Sequence, residues 1–255
     1  MTYLIRLLVS TILFLSGSLW ANELNVGIPQ LSLDLKYKNS VRLHQVLHDT
    51  GQQLAKADAI APFWLAAQLI EPQSNEEIDQ LKAKVTERLY FLASSYPEYQ
   101  VKVNVLLNAL NNNPFNYRHF TVLDYDLIRI SPEHNPLLTG DYQLLLPART
   151  DRIQVVGSFD NEYVHLIQNG SIDEYLEATK MPEFSELHSL YIIQPDGTLI
   201  QTDNAYWTQD RTYLAPGSIL FSGIKDLPSG FALLNEQFAE LLRYKSPVSM
   251  ENINQ

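Results

Sequence analysis

Two aspartates one residue apart, Asp124 and Asp126, are the first candidates for chemistry, in the run Val122-Leu-Asp-Tyr-Asp-Leu-Ile-Arg-Ile130. Read as a strand, alternate residues share a face, so both carboxylates would point the same way. Such a pair suits acid–base work on a glycosidic bond. Glycosidase carboxylates, however, normally face each other across a cleft, and same-face neighbours are ordinarily just solvated. The same strand puts Arg129 on a face with Leu123, Tyr125 and Leu127. An arginine among apolar side chains must find partners, because an unpaired buried charge is costly. It is then either an internal tie to carbonyls across a domain boundary or a pocket residue gripping a carboxylate or acidic sugar. The two roles are compatible. Trp64, Tyr206 and Trp207 are of the type that stacks on sugar rings, and equally of the type that fills a core or an interdomain seam.

Other catalytic patterns fail. His44 and His48 have the four-residue spacing that lets two imidazoles share a metal on a helix. Gln45 stands where a His-Glu-x-x-His site carries its glutamate, and no third ligand is suggested, so no metal is expected. The chain has no cysteine, which excludes a thiol nucleophile, a zinc–thiolate site, disulfides and a lipid-modified N-terminal cysteine. There is no Gly-x-Ser-x-Gly, phosphate loop or dinucleotide fingerprint, so no cofactor is implied. A formal net charge of −11 argues against nucleic acid or anionic membrane as a partner.

The elements that must position these residues fall into parts. Residues 1–21 read as a cleavable signal peptide: Arg6, an apolar run from Leu7 to Leu15, then small residues ending at Ala21. That run is too short to span a bilayer core of about 20 residues. From Leu24 to Tyr37 the chain alternates around Gly27 and Pro29, as strand, turn and strand. Val41, Leu43, Val46 and Leu47 are helix-spaced, with Ser40 in position to cap. Residues 66–113 read as almost wholly helical: a capping box at Ser74–Glu77 opens a helix carrying Ile78, Leu81, Val85, Leu89 and Leu92. Pro97 opens a second helix, with Val101, Val105, Leu106 and Leu110 as its apolar positions, stopped before Pro114.

The remainder is strand-rich. Tyr142–Leu146, Arg152–Gly157 and Glu162–Ile167 are candidate strands, and Ser171–Glu174 is a second capping box opening a short helix. Pro195-Asp-Gly197 joins a hairpin, and Ser218–Ser222 forms a last strand. One helix crossing a small mixed sheet is an α+β arrangement in the order of a β-grasp (ubiquitin-like) domain. The expected organisation is tandem β-grasp domains, with the N-terminal strands and first helix forming a unit interrupted by the helical hairpin. Domains are placed at 22–136, with a helical insertion at about 66–113, and at 137–228. An amphipathic C-terminal helix follows at 229–246, presenting Phe231, Leu234, Phe238, Leu241 and Leu242 on one face. It either docks on its own domain or meets a partner or membrane surface.

The segment Leu123-Asp-Tyr-Asp-Leu-Ile-Arg-Ile-Ser-Pro-Glu-His-Asn-Pro-Leu-Leu-Thr-Gly140 has a recognisable pattern, together with Tyr191-Ile-Ile-Gln-Pro-Asp-Gly197, Asn204-Ala-Tyr-Trp207 and Leu214-Ala-Pro-Gly-Ser-Ile-Leu-Phe221. Over nearly the whole mature chain it resembles the GfcC family of capsule-biosynthesis proteins. The second half is also similar in layout to the sugar-binding modules of outer-membrane polysaccharide exporters. The resemblance implies a periplasmic protein with tandem β-grasp domains and no catalytic activity, working with capsule or exopolysaccharide export machinery. It also implies a central pocket arginine, matched here to Arg129, with Arg118, Arg149 and Arg152 as alternatives. The expected role is therefore a non-enzymatic accessory in surface-polysaccharide assembly or export, binding glycan or an exporter subunit. The alternative is a periplasmic glycan-modifying enzyme using Asp124 and Asp126.

Overall fold

The computed structural model describes residues 23–157, 162–168, 170–179, 190–202 and 213–247. The expected leader and the pair Tyr206 and Trp207 lie outside the described residues. The architecture is mixed α+β, with two five-stranded sheets.

The first sheet begins with a hairpin of β1 (Leu24–Ile28) and β2 (Leu33–Tyr37). Leu24, Val26 and Ile28 alternate inward and are fully buried, the period-2 pattern of a one-faced strand. A two-residue strand β3 (Val41–Arg42) leads into α1 (Leu43–Lys56), and Leu43, Val46 and Leu47 cover that face. Next come β4 (Gln68–Ile70), the helical pair α2 (Asn75–Ser95) and α3 (Gln100–Asn111), and β5 (Arg118–His119). The short helix α4 (Tyr125–Ile130), β6 (Leu137–Leu138) and β7 (Gly140–Leu145) complete this half. The strand order is β2-β1-β7-β4-β5, with β7 parallel to β1 and antiparallel to β4.

The second sheet repeats this plan. It is built from β8 (Arg152–Val156), β9 (Tyr163–His165), helix α5 (Ile172–Ala178), β10 (Leu190–Ile193), β11 (Leu199–Thr202) and β12 (Ile219–Ser222). Its order is β11-β10-β12-β8-β9, with the last strand parallel to the first. Helix α6 (Leu234–Leu242) follows.

The second sheet is covered on both sides. Ile153, Val155, Leu190, Ile192 and Leu220 point to its own helix through Tyr175 and Leu176. Their neighbours Val156, Tyr191, Ile193, Ile219 and Phe221 point the other way, into a core shared with α2, α3 and α6. Every residue of β10 and β12 is buried, which is why Leu-Tyr-Ile-Ile and Ile-Leu-Phe-Ser read as continuous apolar runs. The helical pair inserted between two strands of the first sheet therefore roofs the second.

Several expectations are corrected. Tyr142–Leu146, expected to open the second sheet, lies instead largely in β7 at the centre of the first, so strand pairing places the division after Leu145 and not at 136/137. The region 66–113 is not purely helical, because β4 pairs with β5 and β7. Ser74 makes no side-chain cap; a 3-10 turn from Pro72 to Ser74 precedes the helix, and the Asn75 side chain ties to Asn116 and Tyr117. The Ser171–Glu174 capping box is formed. Ser40 does not cap α1, because β3 intervenes and pairs with β6, and Gly51 lies within the helix. On α3, Val101 and Val105 are exposed, while Val103 and Leu107 join Leu106 and Leu110 in the core. Finally, Leu123–Ile130 is not a strand, as α4 occupies most of it.

The chain leaving α6 is tied to the first half. Gln68 Nε2 donates to the Lys245 carbonyl at 3.1 Å, the Ser246 N–H to the Pro114 carbonyl at 3.0 Å, and the Asn116 N–H to the Tyr244 carbonyl at 3.0 Å. Burial pushes the Lys245 ammonium down to about 8, partly opposed by Glu162. The folded state thus carries a desolvation cost fully present below pH 8 and relieved as pH rises towards the ordinary value of 10.5. Lys245→Met is expected to raise the midpoint of urea unfolding at pH 7, with its advantage over the native chain narrowing between pH 8 and 10. Phe238 is fully buried with its ring 4.9 Å from Phe221. Phe238→Ala is expected to cost about 3–5 kcal/mol in the same measurement.

Candidate functional site

The two halves meet at the Pro195–Gly197 turn joining β10 to β11. Gln194 locks the turn: its Oε1 accepts from the Ala215 N–H and the Ser218 hydroxyl, and its Nε2 donates to the Tyr213 carbonyl. The Gly197 N–H donates to the Gln194 carbonyl at 2.8 Å, and the Thr198 N–H to Asp196 Oδ1 at 2.8 Å. Gly197 has φ of +90°, and a Cβ there would run into the Phe120 ring. Both facts require glycine.

Two arginines grip the outward carbonyls of this turn. Arg118, on edge strand β5 of the first sheet, donates from Nη1 to the Pro195 carbonyl at 3.1 Å. Arg243, just beyond α6, donates from Nε to the Gly197 carbonyl at 2.8 Å and from Nη1 to both Glu240 oxygens at 2.9 and 2.8 Å. Phe120 lies beside both guanidiniums, whose centres are 5.4 Å (Arg118) and 4.1 Å (Arg243) from its ring centroid, within cation–π range. A turn, a strand end and a helix end, far apart in sequence, are thereby joined.

Arg118 is 5% exposed, and its Nε is buried without a hydrogen-bond partner. Burial pulls its basicity down to about 10, with Asp196 acting in the opposite sense and Arg243 adding like-charge repulsion. It remains charged at neutral pH. Arginine suits this place because it keeps its charge when desolvated and offers several donors in a fixed plane.

The residues singled out in the sequence lie elsewhere. Arg129 is not an interior residue: its side chain is 59% exposed on α4, with Nη2 3.9 Å from Asp126 Oδ1. Helical geometry, not strand alternation, governs this stretch, and only Ile128 of α4 is buried. Asp124 is the N-cap of α4, its Oδ1 accepting the Leu127 N–H at 3.0 Å. Asp126 is exposed in the first turn. The two carboxylates therefore do not form a same-face strand pair. Together with Trp64, His48 and Tyr125 they border an open groove between α1 and α4. Tyr206 and Trp207 lie outside the described residues. The apolar face of the tail helix is internal: Phe231 is 5% exposed, Leu242 2%, and Leu234, Phe238 and Leu241 are fully covered.

The histidines are engaged in ordinary contacts. The His44 N–H donates to Asn135 Oδ1 at 3.0 Å and its ring Nδ1 meets Asn135 Nδ2 at 2.8 Å, while His48 contacts Gln52 and the Tyr125 ring. Among the described residues no three metal-ligating side chains come together, and no described helix is long and apolar enough to cross a membrane. Arg149 lies over Phe63, and Arg152 is near Asp151. Of the arginines weighed against the family pattern, Arg118 is the one at the junction. Its signal was faint: Arg118 opens a two-residue strand with Phe120 just past its end, too short a stretch to show a period.

Comparison with known proteins accords with the division into two halves. A family model described as "Capsule biosynthesis GfcC, N-terminal" matches residues 23–149, and one described as "Capsule biosynthesis GfcC C-terminal" matches residues 161–247. A curated relative, "Uncharacterized protein YjbG" of Escherichia coli (strain K12), is 23% identical over 135 residues, 52% of this chain and 55% of the relative. The alignment thus spans about half the relative's length. The first model ends between β7 and β8, where strand pairing passes from one sheet to the other, and the two models in order cover most of the chain, which therefore belongs to the GfcC family of capsule-biosynthesis proteins.

Proposed function

We propose that this chain is a non-catalytic periplasmic accessory protein in the assembly or export of a capsule or other surface polysaccharide. In this reading it consists of two β-grasp units, the first interrupted by the helical pair, and it binds glycan or a subunit of the export machinery. The observation that carries the role is the match of both capsule-biosynthesis models, in chain order, across both halves. The β-grasp reading is supported by the common plan of the two sheets: hairpin, helix, second strand pair, and a last strand inserted centrally and parallel to the first. The exported location rests on the leader pattern of residues 1–21. The reading as a glycan-modifying enzyme is weakened by the position of Asp124, one of whose oxygens is engaged in capping a helix.

Deleting the gene is expected to lower surface polysaccharide, measured by extraction and uronic- and neutral-sugar assay, with recovery on expression of the native chain. Unchanged polysaccharide would sink the proposed role. Osmotic-shock fractionation is expected to release a chain whose N-terminus, read by mass spectrometry, lies close to residue 22; a cytoplasmic, full-length product would refute the location.

The arginines give an internal control. Arg118→Ala removes a charged donor and leaves a hole at the junction, an expected loss of about 2–4 kcal/mol in urea unfolding, accompanied by poorer complementation of the deletion. Arg129→Ala, on the exposed face of α4, is expected to change stability by less than about 0.5 kcal/mol and to complement fully.

A further inference from the structure

The groove between α1 and α4 is separate from the arginine junction. It has a volume of about 540 Å³ and is bordered by Trp64, Tyr125, His48, Gln52, Asp124 and Asp126, with Gly51 also among its lining residues. That volume falls within the roughly 300–1,000 Å³ typical of small-ligand sites. The His48 and Tyr125 rings lie 5.6 Å apart and tilted by 35°, and Trp64 is only partly buried. The groove therefore combines aromatic surface with hydroxyl-accepting and hydroxyl-donating groups. Asp126 is free of the helix-cap bond that engages Asp124, Gln52 offers its amide oxygen while its Nε2 meets the His48 ring at 2.8 Å, and only one Asp124 oxygen is used by the cap. Gly51 lies within α1, and nothing stands within 4 Å of where its Cβ would be. The groove is thus wider at that point by one side chain.

We propose that this groove binds a short, neutral oligosaccharide segment, with Trp64 and Tyr125 contacting the apolar faces of pyranose rings and Asp124, Asp126 and Gln52 hydrogen-bonding their hydroxyls. Aromatic surfaces match the C–H faces of sugars, and carboxylates and amides match their hydroxyls. Two carboxylates at the rim oppose an acidic sugar, since like charges at close range are unfavourable; no arginine or lysine is among the lining residues, and Arg129 lies 3.9 Å from Asp126. The volume is small for a docked protein helix, which is about 10 Å across and several turns long. This inference rests on the proposed role in surface polysaccharide and names a glycan-contact site for it.

The test is calorimetric titration of the purified chain with fragments from mild hydrolysis of the producing organism's own surface polysaccharide, separated into neutral and acidic pools. The neutral pool is expected to bind and the acidic pool not. Trp64→Ala and Gly51→Leu are each expected to weaken binding about tenfold or more. Gly51→Leu fills the groove while improving helix propensity, so its unfolding midpoint is expected to be equal to or above that of the native chain. Absence of binding by the neutral pool, preference for the acidic pool, or unaltered binding by a folded Gly51→Leu would each overturn the proposal. These outcomes are independent of the deletion phenotype. A chain needed for polysaccharide but with no groove binding leaves the role standing and the groove refuted; a chain that binds in the groove but is dispensable refutes the role.

Discussion

Both faces of the three central strands of the second sheet are covered. Alternate side chains of β8, β10 and β12 enter two different cores, one under α5 and the other under α2, α3 and α6. Each buried aliphatic or aromatic side chain is worth about 1.5–3 kcal/mol relative to exposure, so the uncovered sheet would present a large apolar surface to water. Two of the covering helices, α2 and α3, come from the opposite half of the chain, between β4 and β5 of the first sheet. The two halves are therefore not independent modules joined by a linker: a core of one depends on an insertion in the other and on the C-terminal helix.

That dependence explains the polar chemistry at the junction. Bringing the halves together encloses the Pro195–Gly197 turn, whose carbonyls would lose water without replacement. Arg118 approaches from the first sheet and Arg243 from the end of the tail helix, so the turn is satisfied from both. Gly197 lets Phe120 lie against the turn, and Phe120 in turn lies beside both guanidiniums. A charge that reads as a recognition residue in isolation is, at this position, a structural clasp. Its unpartnered Nε is the remaining polar opening in the clasp.

The apolar face of α6 illustrates the same constraint. Phe231, Leu234, Phe238, Leu241 and Leu242 have the spacing of a surface-seeking helix, and all are covered by the shared core. Exposing this face would uncover α2, α3 and the second sheet together, so the helix is a component of the fold as it stands. An open groove lies on the other half, between α1 and α4 beside Trp64.

Elements with enough residues to express a period were legible from the sequence alone. The alternation of Leu24, Val26 and Ile28, the helical spacing from Ile78 to Leu92, the hairpin at Pro195–Gly197 and the Ser171 capping box all appear as read, whereas the tail helix, expected over 229–246, runs from Leu234 to Leu242 with Phe231 in a 3-10 turn before it. Family membership was also legible, because it resides in extended segments. Short elements were not. Strands β4 and β5 have three and two residues, and over the six residues of α4 alternation and helical spacing cannot be told apart; Asp124 as a cap was the distinguishing sign. Nor could local pattern assign β7 to the first sheet, since its pairing with β1 joins residues more than a hundred positions apart. The choice of Arg118 over Arg129 was likewise tertiary. Burial of an arginine is decided by which surfaces close over it, and here those surfaces are a turn and a helix end from the distant second half of the chain.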